Sequence, residues 1–224
     1  MTLTVLCVLN GTKYDASYVA KLRAMVGRHL KVTHRFLCIS DRTLGIPGVE
    51  ELVTELKGYS TAWWAKMMLF APEVRGDGPA IYFDLDTVIC GDLSPLAFIA
   101  GNYKFAICEN FTKRAGHPTW PCAYGSAVMT FGRGWGQDVF DAWYARHMEW
   151  MADAGQYGDQ MVIEKLAPGM PLLQSLTPRG YFLGYRELAD HRHNRPPGAS
   201  VVVFAGRNKP HNTDVEWVRR EWTI

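Results

Sequence analysis

The sequence predicts an α/β fold with a mainly parallel central sheet flanked by helices. Three observations carry that prediction: apolar runs of strand length recur, amphipathic helical stretches separate the first of them, and an Asp-x-Asp pair closes one run where a strand should end. Leu3–Leu9 is a continuous β-favouring run stopped by Asn10-Gly11, the mark of a buried strand and a turn. Ala16–His29 then places Val19, Leu22, Met25 and Val26 on one helical face. Arg35–Ile39 forms a second apolar strand, ended by Ser40-Asp41. Such β-α-β order places ligands at the carboxyl ends of the strands.

Further along, Ser60–Phe70 reads as a helix with a Ser or Thr cap, closed by Pro72 and the Gly76–Pro79 turn. Ala80–Phe83, Phe105–Cys108, Ser126–Phe131 and Val201–Ala205 read as strands, and Asp159–Leu166 as a short helix. After Gly136, residues Phe140, Trp143, Tyr144, His147, Met148 and Met151 recur at helical spacing and are expected in the core. Gly132–Gly136 reads as a flexible glycine-rich turn without phosphate-loop spacing. No repeat or low-complexity linker interrupts the chain, so one domain over residues 1–224 is expected.

Composition narrows the function. Of 224 residues, 48% are apolar and 12% aromatic, enough for a sizeable core and unlike a disordered chain. A formal charge of +2 is not the footprint of a nucleic-acid protein, although eight basic against five acidic side chains follow from Arg179 onward. No apolar run approaches the roughly 20 residues of a membrane span. The first nine residues read straight into a strand, so neither a signal peptide nor a membrane span is expected. The five cysteines lack C-x-x-C spacing, and Cys7, Cys38 and Cys108 lie in apolar runs. They are expected as buried thiols in a reducing, cytoplasmic compartment.

The chemistry concentrates in Asp84-Leu85-Asp86. Two carboxylates one residue apart at a strand end can converge on a hard cation, and Mn²⁺ or Mg²⁺ with a bridging diphosphate suits oxygen ligands. His191 and His193 are expected as surface histidines, since a metal pair would need further ligands.

Ala62–Phe70 followed by Ile81–Val88 resembles the donor-binding half of glycosyltransferases with the GT-A (Rossmann-like) fold, closest to glycogenin-like, retaining family-8 enzymes and small phage or bacterial relatives. Three more pieces follow in family order. Ala123–Phe131 resembles their Asn-Ser-Gly strand, Gly158-Asp159-Gln160 their Asp-Gln pair, and Val203–His211 their closing Gly-x-x-Lys-Pro segment. Two positions depart from the pattern: Val203 stands where the family has a metal-binding histidine, and Gly125 where it has the Asn of the strand.

The resemblance implies a metal-dependent glycosyltransferase, a hexosyltransferase that moves sugar from a nucleotide-sugar, UDP-hexose by analogy, with retention. Residues 1–90 would form the nucleotide-binding half and 91–224 the half for sugar and acceptor. Asp84 and Asp86, the DXD motif, would hold Mn²⁺ or Mg²⁺. His211 is expected to make the metal contact that Val203 cannot. Lys66 and Lys209 would face the diphosphate, Tyr14 or Tyr18 would stack on the base, and Asp159 with Gln160 would stand by the reactive carbon. Phe111–Arg114 and Trp120-Pro121 read as a mobile, aromatic and basic surface for an acceptor, be it glycan, protein or modified DNA base. The alternatives are a haloacid-dehalogenase-like phosphatase, whose nucleophile also sits in Asp-x-Asp, and a non-catalytic nucleotide-sugar or glycan-binding module.

Overall fold

A computed structural model describes residues 2–54, 62–114 and 120–224. Its strands are β1 (Leu3–Leu9), β2 (His34–Ser40), β3 (Glu50–Val53), β4 (Ala80–Phe83), β5 (Val88–Ile89), β6 (Phe105–Glu109), β7 (Tyr124–Phe131), β8 (Phe182–Gly184) and β9 (Val201–Val203). Its α-helices are α1 (Ala16–His29), α2 (Pro72–Arg75), α3 (Ser94–Asn102), α4 (Phe111–Arg114), α5 (Gln137–Tyr144), α6 (His147–Ala154), α7 (Gly158–Leu166), α8 (Leu173–Leu176) and α9 (Glu216–Glu221).

Six strands form the main sheet in the order β3-β2-β1-β4-β7-β6. The pairs from β3 to β4 are parallel, whereas β7 runs antiparallel to both β4 and β6. A smaller sheet has the order β5-β9-β8.

Side-chain alternation explains the layers. Along β1, Leu3, Val5, Cys7 and Leu9 enter the core that receives α1, while Leu6 and Val8 enter the core on the other face. β4 divides likewise, with Ile81 and Phe83 on the first side and Ala80 and Tyr82 on the second. All seven β1 positions are buried, as a strand covered on both faces requires. α1 is capped by Asp15, whose side chain accepts from Ser17 N at 2.9 Å. It lays Val19, Leu22, Met25 and Val26 on the sheet. Leu22 is fully buried, and truncation to Ala would cost about 2–5 kcal/mol.

Several sequence expectations change. Ala62–Phe70 is a 3-10 helix rather than an α-helix, and the expected caps Ser60 and Thr61 lie outside the described residues. The helix after Gly136 breaks at Ala145-Arg146 into α5 and α6. Only part of its stripe is core: Trp143 is buried, but Tyr144, at the end of α5, is 57% exposed, and Met148, beyond the break, is 64% exposed. The Gly132–Gly136 turn is packed, since a Cβ on Gly136 (φ +121°) would stand 2.6 Å from Phe70 O. The last strand stops at Val203, and β3, β5 and β8 escape the sequence because they are short and carry no clear alternation.

Candidate active site

The centre of the molecule's main cleft is the turn that ends β4. Asp84 N still donates to Ala127 O of β7 at 2.8 Å, and Thr87 N then closes the turn on Asp84 O at 3.0 Å. Leu85 is buried, and Asp84 and Asp86 both line a cleft of about 310 Å³.

Each carboxylate has its own lysine and its own tyrosine. Lys66 Nζ lies 2.8 Å from Asp84 Oδ1, and the Tyr82 hydroxyl donates to the same oxygen at 2.6 Å. Lys209 Nζ lies 2.5 Å from Asp86 Oδ2, and the Tyr14 hydroxyl donates to that oxygen at 2.8 Å. Oδ2 of Asp84 and Oδ1 of Asp86 stay outside these contacts. Burial pulls the Lys66 ammonium down, but Asp159 and Asp84 together hold it above its usual value. Burial raises the Asp84 carboxyl, with Lys66 opposing and Asp86 adding to the rise. Burial and the Asp86 charge keep the Tyr14 phenol protonated. Lys13, at the same cleft, is lowered by burial and by Lys209.

Lys66 also reaches Ser126 Oγ at 3.1 Å and stands 3.8 Å from Asp159 Oδ2. Asp159 is buried in the first turn of α7, where the helix end favours negative charge, and its Oδ2 has no hydrogen-bond partner among the described residues. Gln160 follows it into the cleft wall. Among the lining residues, three carboxylates (Asp84, Asp86, Asp159) face three ammonium groups (Lys13, Lys66, Lys209). A divalent cation arriving with a diphosphate leaves that balance nearly intact, whereas either alone upsets it.

The donor set fits such a cation. Two carboxylates give hard oxygen ligands, and Mg²⁺-type sites take one or two carboxylates with phosphates and water supplying the rest. Among the described residues no group of three His, Cys, Asp or Glu side chains stands together as a self-sufficient metal cage.

The cleft therefore brings together Tyr14, Lys66, Asp84, Asp86, Asp159, Gln160 and Lys209 from across the chain. It does not bring in His211. That ring is exposed, is not part of the lining, and turns Nδ1 to the Tyr18 hydroxyl, so its position after Lys209-Pro210 does not carry it to the aspartates. Tyr18 packs against the Tyr14 ring at 4.5 Å and against Trp222 at 4.9 Å rather than lining the cleft. Phe111 belongs to a short helix and is buried at the cleft rather than exposed on a surface. The side chains of Lys113 and Arg114 lie outside the described residues.

Lys13, Trp63, Tyr82 and Asn110 also line the cleft and were not singled out from the sequence. Tyr82 was the readable one, since it stands two residues before Asp84 and so on the same side of the strand. Gly125 explains its own departure from the family pattern. A Cβ there would come within 2.8 Å of Glu109 O and 3.0 Å of Asn110 Cα, so the backbone of β6 occupies the space.

No family model matches the chain, and no curated protein matches its sequence. Solved structures do match the fold. A galactosyltransferase, LgtC, in complex with donor and acceptor sugar analogues superimposes with a TM-score of 0.62 at 15% identity, covering 99% of this chain and 97% of that one. An active-site mutant of LgtC gives 0.64 at 14% identity, over 97% and 93%. The glycosyltransferase GlyE of Streptococcus pneumoniae gives 0.65 at 15% identity, over 99% of this chain and 62% of that one. The likeness is one of architecture: this chain has the GT-A fold.

Proposed function

From a GT-A fold whose β4 ends in two lysine-paired aspartates, we propose a metal-dependent glycosyltransferase that moves a hexose from a nucleotide-sugar, UDP-hexose, to an acceptor hydroxyl. The observation that carries this reading is the pairing itself: two carboxylates for a cation stand beside two ammonium groups for a diphosphate, in one cleft. Asp84 and Asp86 would hold the metal through the oxygens that Lys66 and Lys209 leave free. Bound Mn²⁺ or Mg²⁺ would supply Lewis-acid stabilisation of the diphosphate.

The chain's residues account for the remaining roles. When the bond between the sugar's anomeric carbon and the diphosphate oxygen breaks, negative charge grows on the leaving group. Lys209 and Lys66 are already in place to balance it. Asp159 Oδ2, buried and without a hydrogen-bond partner among the described residues, accepts a hydrogen bond from a sugar hydroxyl. The Gln160 carbonyl stabilises positive charge at the anomeric carbon. The acceptor oxygen attacks from the side the leaving group departs, and its proton passes to the leaving diphosphate oxygen. Retention of configuration follows, and Tyr14 stacks on the nucleotide base from the β1 side.

Mass-spectrometric screening of nucleotide-sugars with and without Mn²⁺ tests the proposal. Turnover or hydrolysis of a UDP-sugar that stops in EDTA and returns with Mn²⁺ is the expected result; full activity in excess EDTA would sink it. The same samples separate the alternatives. Hydrolysis of p-nitrophenyl phosphate would favour the phosphatase, and donor binding without turnover the binding module.

A further inference from the structure

The loop between β1 and α1 gives the cleft three of its lining residues, Asn10, Lys13 and Tyr14. Its bend is Gly11, at φ +73°, and among the described residues nothing stands within 4 Å of where a Cβ on it would be. Packing on that side does not hold the bend. Two residues that follow β2 hold it by its backbone instead.

Asp41 Oδ2 accepts from Gly11 N at 2.8 Å, and Arg42 Nη1 donates to Gly11 O at 2.9 Å. The same Nη1 meets the other Asp41 oxygen, Oδ1, at 2.6 Å, so the two side chains close a bracket around one residue. Arg42 Nη2 reaches on to Tyr14 O at 3.4 Å. The bracket is itself tied to the sheet: Asp41 N donates to Leu9 O at 3.3 Å, and Ser40 Oγ to Arg42 O at 2.7 Å. Beyond it, the Tyr14 hydroxyl carries the loop's position to Asp86 Oδ2 at 2.8 Å.

Neither Asp41 nor Arg42 lines the cleft. Their side chains are 28% and 41% exposed, and an ion pair so placed contributes little to folding. What it does here is fix one conformation of a loop that forms part of the cleft wall. A loop already ordered before binding spares the ligand the cost of ordering it. We propose that Asp41 and Arg42 are positioning residues for the nucleoside diphosphate, setting its affinity through Lys13 and Tyr14 without touching it. This rests on the glycosyltransferase reading, in which Tyr14 meets the base.

The test is calorimetry of UDP with Mn²⁺ and hydrogen exchange over residues 10–14, on wild type, Arg42→Ala, Asp41→Ala, the double variant and Arg42→Lys. Each alanine variant should weaken UDP about tenfold. The double variant should lose little more than either single one, because the two side chains act as one unit. Amides of the loop should exchange about tenfold faster, with those of β1 unchanged. Arg42→Lys should recover part of the affinity, since an ammonium still pairs with Asp41 and reaches one carbonyl. Melting temperatures should stay within about 3 °C of wild type. If wild type binds UDP and Arg42→Ala binds it equally well, the positioning role falls while the transferase reading stands. Weaker UDP with loop exchange unchanged would mean that Arg42 meets the nucleotide itself, which overturns the role as well. Weaker UDP with faster exchange throughout β1 and β2 would reduce the pair to scaffold and overturn it. Faster exchange confined to the loop, with no nucleotide bound by wild type, upholds the bracket and overturns the transferase.

Discussion

Lys209 Nζ and Asp86 Oδ2 meet at 2.5 Å across 123 residues of sequence, and both side chains are nearly shut off from solvent. Breaking such a pair by removing one partner leaves a buried charge uncompensated, at a cost of about 3–5 kcal/mol. Lys209→Ala should therefore melt well below wild type. Added Mn²⁺ should return part of the loss, because a cation on Asp86 replaces the missing ammonium. Under the proposed role of Lys209 toward the diphosphate, UDP affinity should stay lowered. Melting curves with and without Mn²⁺ check this, and equal melting of variant and wild type would show that the pair carries no weight.

His211 should be silent toward metal. Its Nδ1 is engaged by Tyr18, and the ring lies away from the aspartates. His211→Ala is expected to leave a Mn²⁺ titration in the presence of UDP unchanged. A titration weakened several-fold would restore the expectation that His211 replaces the histidine the family places at the Val203 position.

Gly125 cannot take the asparagine of the family strand. Backbone atoms Glu109 O and Asn110 Cα stand 2.8 and 3.0 Å from where its Cβ would be, and neither can swing aside like a side-chain tip. Gly125→Asn should cost about 1–3 kcal/mol, as overpacking does. In a chain of this size the melting temperature should fall by about 2–4 °C for each kcal/mol. An unchanged melting temperature would mean that β6 yields more easily than its hydrogen bonds to β7 suggest.

Cys90 should make stability fall at alkaline pH. Burial raises its thiol from 9.0 to about 12, so between those values the unfolded chain gives up the proton and the folded one keeps it. The contribution is complete below pH 9 and is lost as pH rises toward 12. The slope is about 1.4 kcal/mol per pH unit. Denaturant titrations of wild type and Cys90→Ala from pH 8 to about 11 should diverge in that sense. A difference that stays constant across the range would remove the cause.

What the sequence disclosed follows from how each feature encodes itself. β1 and β2 were readable because both faces of a parallel strand are buried, so Leu3–Leu9 is apolar without a break. The Asp84 and Asp86 pair was readable because the apolar Ala80–Phe83 run ends on it. β5 and β8 were not, since strands of two and three residues hold no period. The 3-10 geometry of Ala62–Phe70 was hidden because nine mostly apolar residues suit either helix. Trp63 and Trp64 look alike in sequence, and only the packing separates the exposed ring from the buried one. His211 misled because closeness along the chain to Lys209 says nothing about which way a ring turns after Pro210.

The Lys209 to Asp86 contact also bears on the order in which the molecule can mature. A ribosome delivers β1 through β4 and both aspartates long before residue 209, at about 5–20 residues per second. Until then Asp86 has the Tyr14 hydroxyl but not its ammonium partner. β9, which carries the Lys209 loop, also pairs with β5 directly after the aspartate turn. The nascent chain can thus settle its large sheet early and still hold an open, acidic mouth. The cleft reaches its final charge only when β9 docks, so a translation product stopped before residue 209 would keep most of the scaffold and lack a finished site.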